Sequence, residues 1–280
     1  MRHLLILLAI VGCATLATAQ TAEELVAKNL QAHGGVEKIK AIKSLRMAGK
    51  FQQGPFTAQV QNDTKAPDLL RQELIIQGMA LIIAYDGSSG WQISPFEGRK
   101  DPELLGEDDL REVEEDADFY GPLVDYQQKG NKIEYLGHDT VDGDDAYRLK
   151  VTLKNGDIFY YFLDPDSYME IRIEKQRHIR GAVKETIQDL GSYKQVAGVY
   201  YPFSIESGQK RSSQRTKISF DKIEANVPLE DSEFKMPAAP AVPSPQAHPE
   251  PPAPKPPAAK PPAATAPGQK PATEKPPHQG

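Results

Sequence analysis

Cysteine is nearly missing from this chain: Cys13 is the only one among 280 residues. It sits in an apolar N-terminal stretch, so the part that folds has no disulfide and no thiolate to offer a metal or a substrate. No apolar run approaches the roughly 20 residues that a membrane-spanning helix needs. Clustered basic charge is also missing. The formal net charge is −6, and residues 20–236 carry about −9. This excludes nucleic acid as the main partner, because phosphate binding rests on grouped Lys and Arg.

Reactive constellations are equally scarce. His33, His138 and His178 are the histidines of the central region, and none has HExxH or another metal-ligand spacing. Asp86-Gly87-Ser88-Ser89-Gly90 superficially suggests a serine nucleophile, but it joins two strand patterns rather than a strand and a helix, so it reads as a turn. Asp139 to Asp145 holds four aspartates around Gly143; without the spacing and terminal Glu of a calcium loop, it reads as a polar hairpin. The carboxylates from Glu103 to Asp118 read as a solvated helix face. Gly34-Gly35 lacks the Lys and Ser/Thr of a phosphate loop. No metal, cofactor or enzymatic activity is expected.

The two ends carry their own signals. Arg2, the apolar run Leu4 to Val11 and Ala17-Thr18-Ala19 form a signal sequence over residues 1–19, with the mature chain starting at Gln20. Ile10-Val11-Gly12-Cys13 loosely matches a lipid-attachment box, so anchoring to the outer membrane through Cys13 stands as the alternative to a free periplasmic protein. Residues 237–280 hold sixteen of the 24 prolines. Such a segment buries too little apolar surface to offset its chain entropy, and an extended, disordered Pro/Ala/Lys-rich tail is expected.

Between these ends, residues 20–236 form one domain. Thr21 and Glu24 have the form of a capping box ahead of a helix that Gly34-Gly35 stops, and a short helix follows from Val36 to Ile42. From Ser44 the period changes to two: Leu45, Met47 and Phe51; Phe56, Ala58 and Val60; Leu70, Leu74 and Ile76; Met79, Leu81 and Ile83; Trp91 and Ile93. Turn residues separate these runs, predicting an antiparallel meander of five strands. A helical stretch over 101–126 interrupts, with Phe119, Tyr120 and Leu123 near its end. Strand patterns resume from Lys132 and continue to Ala225, one of them running from Val199 to Ser207. The expected fold is mainly β (α+β): a strongly curved antiparallel sheet forming an unclosed β-barrel of about 11 strands, with the helices as a lid.

Several segments together resemble a known family: Ala22-Glu23-Glu24-Leu25 through Gly34-Gly35, Tyr85-Asp86-Gly87 to Gly90-Trp91, Gly143 to Leu149, and Phe162-Leu163-Asp164-Pro165. Gly198-Val199-Tyr200-Tyr201-Pro202 and Asn226-Val227-Pro228-Leu229 to Phe234 complete the set. In their order and spacing they resemble the LolA-like outer-membrane lipoprotein-sorting proteins. The resemblance implies an unclosed barrel whose helical lid covers an apolar cavity for acyl chains, and hence a periplasmic, non-enzymatic carrier of lipids or lipoprotein acyl chains. The expected cavity residues are Met47, Phe51, Leu74, Ile76, Leu81, Ile83, Trp91 and Ile93, with Phe119, Tyr120 and Leu123 from the lid. The competing expectation is an envelope sensor or scaffold that uses the same fold to bind a protein partner.

Overall fold

The computed structural model describes residues 20–97, 101–179 and 181–238. The expected signal sequence with Cys13 and nearly all of the expected tail lie outside the described residues. Helix α1 (Ala22–Ala32) starts with the capping box read from the sequence: the Thr21 hydroxyl accepts from the Glu24 N–H at 3.1 Å, and the Glu24 carboxylate accepts from the Thr21 N–H at 3.3 Å. It ends at Gly34, whose φ of +123° no side chain adopts easily; a Cβ there would lie 2.3 Å from the Gly198 carbonyl oxygen. Helix α2 (Val36–Ala41) follows at once.

Fifteen strands then form among the described residues. They are β1 (Ser44–Gln53), β2 (Phe56–Lys65), β3 (Leu69–Ile76), β4 (Met79–Asp86), β5 (Gly90–Ile93) and β6 (Glu103–Leu104), followed beyond helix α3 (Glu107–Ala117) by β7 (Lys132–Val141), β8 (Asp144–Thr152), β9 (Ile158–Leu163) and β10 (Glu170–Ile179). The remainder are β11 (Ala182–Gly191), β12 (Lys194–Val196), β13 (Val199–Tyr201), β14 (Ser204–Gln209) and β15 (Thr216–Ala225). Thirteen of them make one antiparallel sheet in the order β6-β5-β4-β3-β2-β1-β15-β14-β11-β10-β9-β8-β7, and β12 and β13 pair separately. The sheet curves but does not close, as expected; β6 and β7 are its free ends. It consists of two meanders joined where β1 meets β15, Leu45 opposite Ala225.

Two expectations need correction. The helix expected over 101–126 covers only Glu107–Ala117. Before it, Gly106 breaks the pattern and Glu103–Leu104 adds a strand beside Gln92 and Trp91; after it, the chain runs in turns, and the Phe119 N–H bonds the Pro67 carbonyl at 3.1 Å. The strand expected from Val199 to Ser207 is two strands, because Pro202 has no N–H to continue a ladder.

Cross-strand pairing sorts the side chains into two faces. The inner face carries the three α-helices of the described residues. There α1 packs Leu25 and Val26 against Leu149, Val151, Phe159 and Tyr161. Ile42, just beyond α2, joins Leu45, Phe220 and Ile223. Helix α3 packs Val113 and Ala117 on Leu70 and Tyr85. The outer face of β1–β5 is crossed by the chain after β15. The Ser44 hydroxyl donates to the Val227 carbonyl at 2.6 Å, Lys65 to the Leu229 carbonyl at 2.7 Å, and the Trp91 indole N–H to the Phe234 carbonyl at 2.7 Å.

Candidate functional site

The ladder decides which expected cavity residues face inward. Met47 lines up with Asn62, Gln72 and Ile83, and Leu74 with Val60 and Leu81, all on the inner face. Phe51 and Ile76 belong to the same face by alternation along their strands. All six of these apolar side chains are only half-buried. Met47, Phe51 and Leu74 pack on the cluster around Leu45 and Phe220, and Ile83 on the one under α3, whereas Ile76 and Leu81 belong to neither. The result is a partly buried apolar stripe across β1, β3 and β4 on the inner face.

Trp91 and Ile93 do not belong to it. Trp91 pairs with Ala84 and Ile93 with Ile82, which puts both on the outer face. Trp91 is fully buried there against the segment that ends at Phe234, itself fully buried. The inward positions of β5 are Gly90 and Gln92, so the bulk of this strand supports the fold from behind.

Over the inner face lies α3, and ionic contacts tie it down. Arg177 of β10, only 4% exposed, reaches Glu115 at 2.6 Å, Glu112 at 2.9 Å and Asp116 at 3.6 Å. Lys175 adds a contact to Asp116 at 3.1 Å and Lys184 one to Glu112 at 3.1 Å. Arg111 meets the fully buried Asp157 at 2.7 Å. Burial and the neighbouring Asp157 push the Glu115 carboxyl up against the pull of Arg177. Burial pulls Asp157 the same way, but bonds from Glu115, the His178 N–H and Arg111 outweigh it and hold this carboxylate down. Carboxylates in the last turns of a helix oppose its dipole, so α3 depends on the cations of β10 and β11 to stay helical in place.

Phe119, Tyr120 and Leu123, the three expected lid residues, do come together. They line a cavity of about 270 Å³ with Leu30, Ile39 and Val199. A larger one, about 720 Å³, lies between α3, the 118–131 segment and the β8–β9 turn; its walls mix Leu153 and Phe159 with Arg111, Glu114 and Lys129. The six inward strand residues line neither.

One wall of the smaller cavity holds a pair that sequence reading left unassigned. His33 Nε2 lies 2.6 Å from Glu170 Oε2, and its Nδ1 lies 2.8 Å from the Tyr200 carbonyl. Burial favours neutral His33, yet the charge and hydrogen bond of Glu170 outweigh it, so its pKa is raised. Burial likewise works to raise Glu170, and the charge and hydrogen bond of His33 turn the shift downward. Burial, then the adjoining Glu170, drives the Tyr193 hydroxyl upward; it stays protonated and donates to the Glu170 carbonyl at 2.8 Å. With His33 raised, its stabilisation is complete below the unfolded value of 6.5 and disappears as pH climbs through the folded pKa. Wild type should therefore lose on the order of 1 kcal/mol, about 2–4 °C in Tm, across that alkaline limb, and His33→Gln should lack it. Thermal melts of both proteins over a pH series check this; identical profiles would refute it.

The other sequence candidates resolve into structure. Asp86 accepts from the Ser88 N–H, the Ser88 hydroxyl and the Ser89 N–H, a local turn. Asp142 and Gly143 have φ of 54° and 101°, as a tight hairpin turn requires, and Asp139 and Asp142 pair with Arg148 and Arg172. Among the described residues no group of three or more His, Cys, Asp or Glu is arranged to hold a metal.

No protein-family model matches the sequence and no curated protein does. Solved structures do. A DUF1329 family protein from Desulfovibrio piger aligns with a TM-score of 0.54 at 12% identity, covering 78% of this chain and 98% of its own. A LolA superfamily protein from Nitrosomonas europaea gives 0.53 at 13%, with coverages of 78% and 98%. A domain named for outer-membrane lipoprotein sorting, from Vibrio parahaemolyticus, gives 0.50 at 13%, with 75% and 97%. At such identities the likeness is one of fold: this chain has the open, curved antiparallel sheet with few helices found in LolA superfamily and DUF1329 proteins.

Proposed function

We propose that this chain is a non-enzymatic carrier that takes acyl chains of lipids or lipoproteins onto the apolar stripe of its inner face, beside the lid formed by α3 and residues 118–131. The observation that carries this reading is the incomplete burial of Met47, Phe51, Leu74, Ile76, Leu81 and Ile83 on the face that should be the core. Inward apolar side chains left only partly covered mark a surface suited to further apolar contact. An acyl chain laid there gains about 0.8 kcal/mol per CH₂ buried. The domain names of the solved neighbours, which mention LolA and lipoprotein sorting, support the same reading. With it goes the proposal that residues 1–19 direct export to the periplasm, or that Cys13 anchors the chain, and that 237–280 is a tail outside the carrier domain. No helix among the described residues is long and apolar enough to cross a membrane.

Leu81→Glu and Ile76→Glu test the site, since neither residue belongs to a core cluster. A charge placed against an acyl chain should weaken uptake of a fluorescent fatty acid at least tenfold while moving Tm by only a few degrees. Uptake unchanged in both variants, or absent from wild type, refutes the carrier reading. A second reading, an envelope scaffold for a protein partner, draws on β7, a ten-residue strand at the end of the sheet with no strand among the described residues on its outer edge. A partner pulled down by wild type and lost on replacing Leu136 by Pro would favour it.

A further inference from the structure

The inner face is not apolar throughout. Beyond the seam, one stretch of β11, β14 and β15 carries hydroxyl and amide side chains on this face, and together with Glu112, Asp116, Lys175 and Arg177 they line a pocket of about 400 Å³ on the other side of α3 from the 720 Å³ cavity. Gln188 lies opposite Ser207, Ser207 opposite Thr216, and Thr186 is on the same face two residues before Gln188. The side chains of Gln53, Thr186, Gln188 and Ser207 have no hydrogen-bond partner among the described residues. Arg177 is buried, and its Nη2 also has none.

The charged groups of the pocket are already matched. Lys175 pairs with Asp116, and Arg177 with Glu112, which also holds Lys184. A phosphate or carboxylate would find no unmatched cation there to neutralise it. Free amides and hydroxyls offer donors and acceptors side by side on strands about 4.8 Å apart, a pattern suited to an uncharged group rich in hydroxyls. One step along the same strands and face, Ile205 pairs with Ile218, which pairs with Phe51 at the edge of the apolar stripe.

We propose that the pocket on β11, β14 and β15 binds the uncharged, polyhydroxyl head of an amphiphile, sugar-like in chemistry, whose alkyl part lies on the adjoining stripe. The alkyl half of the statement rests on the carrier reading, whereas the head-group half rests on the unpartnered side chains alone.

Three probes separate the two: dodecyl maltoside below its micelle concentration, free maltose, and dodecanoate, each titrated calorimetrically into the full chain and into a Gln188→Leu/Ser207→Ala variant. Dodecyl maltoside should bind at least tenfold more tightly than dodecanoate in wild type. The variant should erase that preference and leave dodecanoate unchanged. Binding of maltose alone, lost in the variant, would uphold the pocket with a free saccharide as its source and count against the carrier reading. Equal affinity for the two dodecyl probes, unmoved by the variant, would overturn the head-group site and spare the carrier. No binding of any probe would overturn both.

Discussion

Replacing Arg177 by methionine is expected to destabilise the protein by about 3–5 kcal/mol, the usual cost of removing one partner from a buried ionic group and leaving the rest uncompensated. Arg177 is 4% exposed and faces three carboxylates of α3. Methionine fills similar volume, so packing changes little, but Glu115, itself 7% exposed at its side chain, then has no cation beside it. Arg177→Lys should recover only part of the loss, because one ammonium cannot span Glu112 and Glu115 as the guanidinium does. Urea unfolding followed by circular dichroism gives the energies, and hydrogen exchange shows where they act. Protection should fall first over residues 107–117 and only later in β7–β11. A loss below about 1 kcal/mol would mean that water already solvates the network.

A comparable loss, with the opposite functional signature, is expected on the outer face. Trp91→Ala and Phe234→Ala should each cost about 3–5 kcal/mol, as large aromatic truncations in a packed site do. Both residues are fully buried, and the indole N–H to the Phe234 carbonyl at 2.7 Å is lost in the first variant. At temperatures where the variants remain folded, fatty-acid uptake should match wild type, since these side chains are behind the sheet. Uptake that falls in parallel with Leu81→Glu would show that the outer-face assignment does not describe the binding surface.

Much of the architecture was legible in the sequence. Thr21 with Glu24, the Gly34-Gly35 stop and the Asp142-Gly143 turn act through local backbone chemistry, so they could be read where they stand. Alternation gave the strands for the same reason. What local signals could not give was parity across a turn. Odd-numbered residues face inward on β4, and the Tyr85–Gly90 pairing makes even ones do so on β5. The apolar residues of β5 are the odd ones, Trp91 and Ile93, because the returning segment 227–234 covers the outer face there. Nothing near residue 91 announces a partner at 234. The lid was misjudged for a related reason: an acidic run looks solvated until its cations are found on another strand. A signal did exist, since Lys175 and Arg177 alternate with Ile173 on the inward side of β10, where cations need acids to meet them. Likewise, the His33–Glu170 contact joins residues far apart in the chain, so only the fold could reveal it.

The seam between β1 and β15 also sets the order in which the molecule can be completed. A polypeptide emerging amino end first, from a ribosome or through a translocation pore, presents β1 to β5 long before residues 216–225 exist to pair with Leu45 through Gln52. Closing so long a loop costs entropy before any contact rewards it, so the two meanders wait as separate halves until β15, the last of the described strands, arrives. Such a late zipper keeps the chain threadable during passage. It also leaves one bare edge on β1 for that whole interval, a place where a second nascent chain can attach in β15's stead.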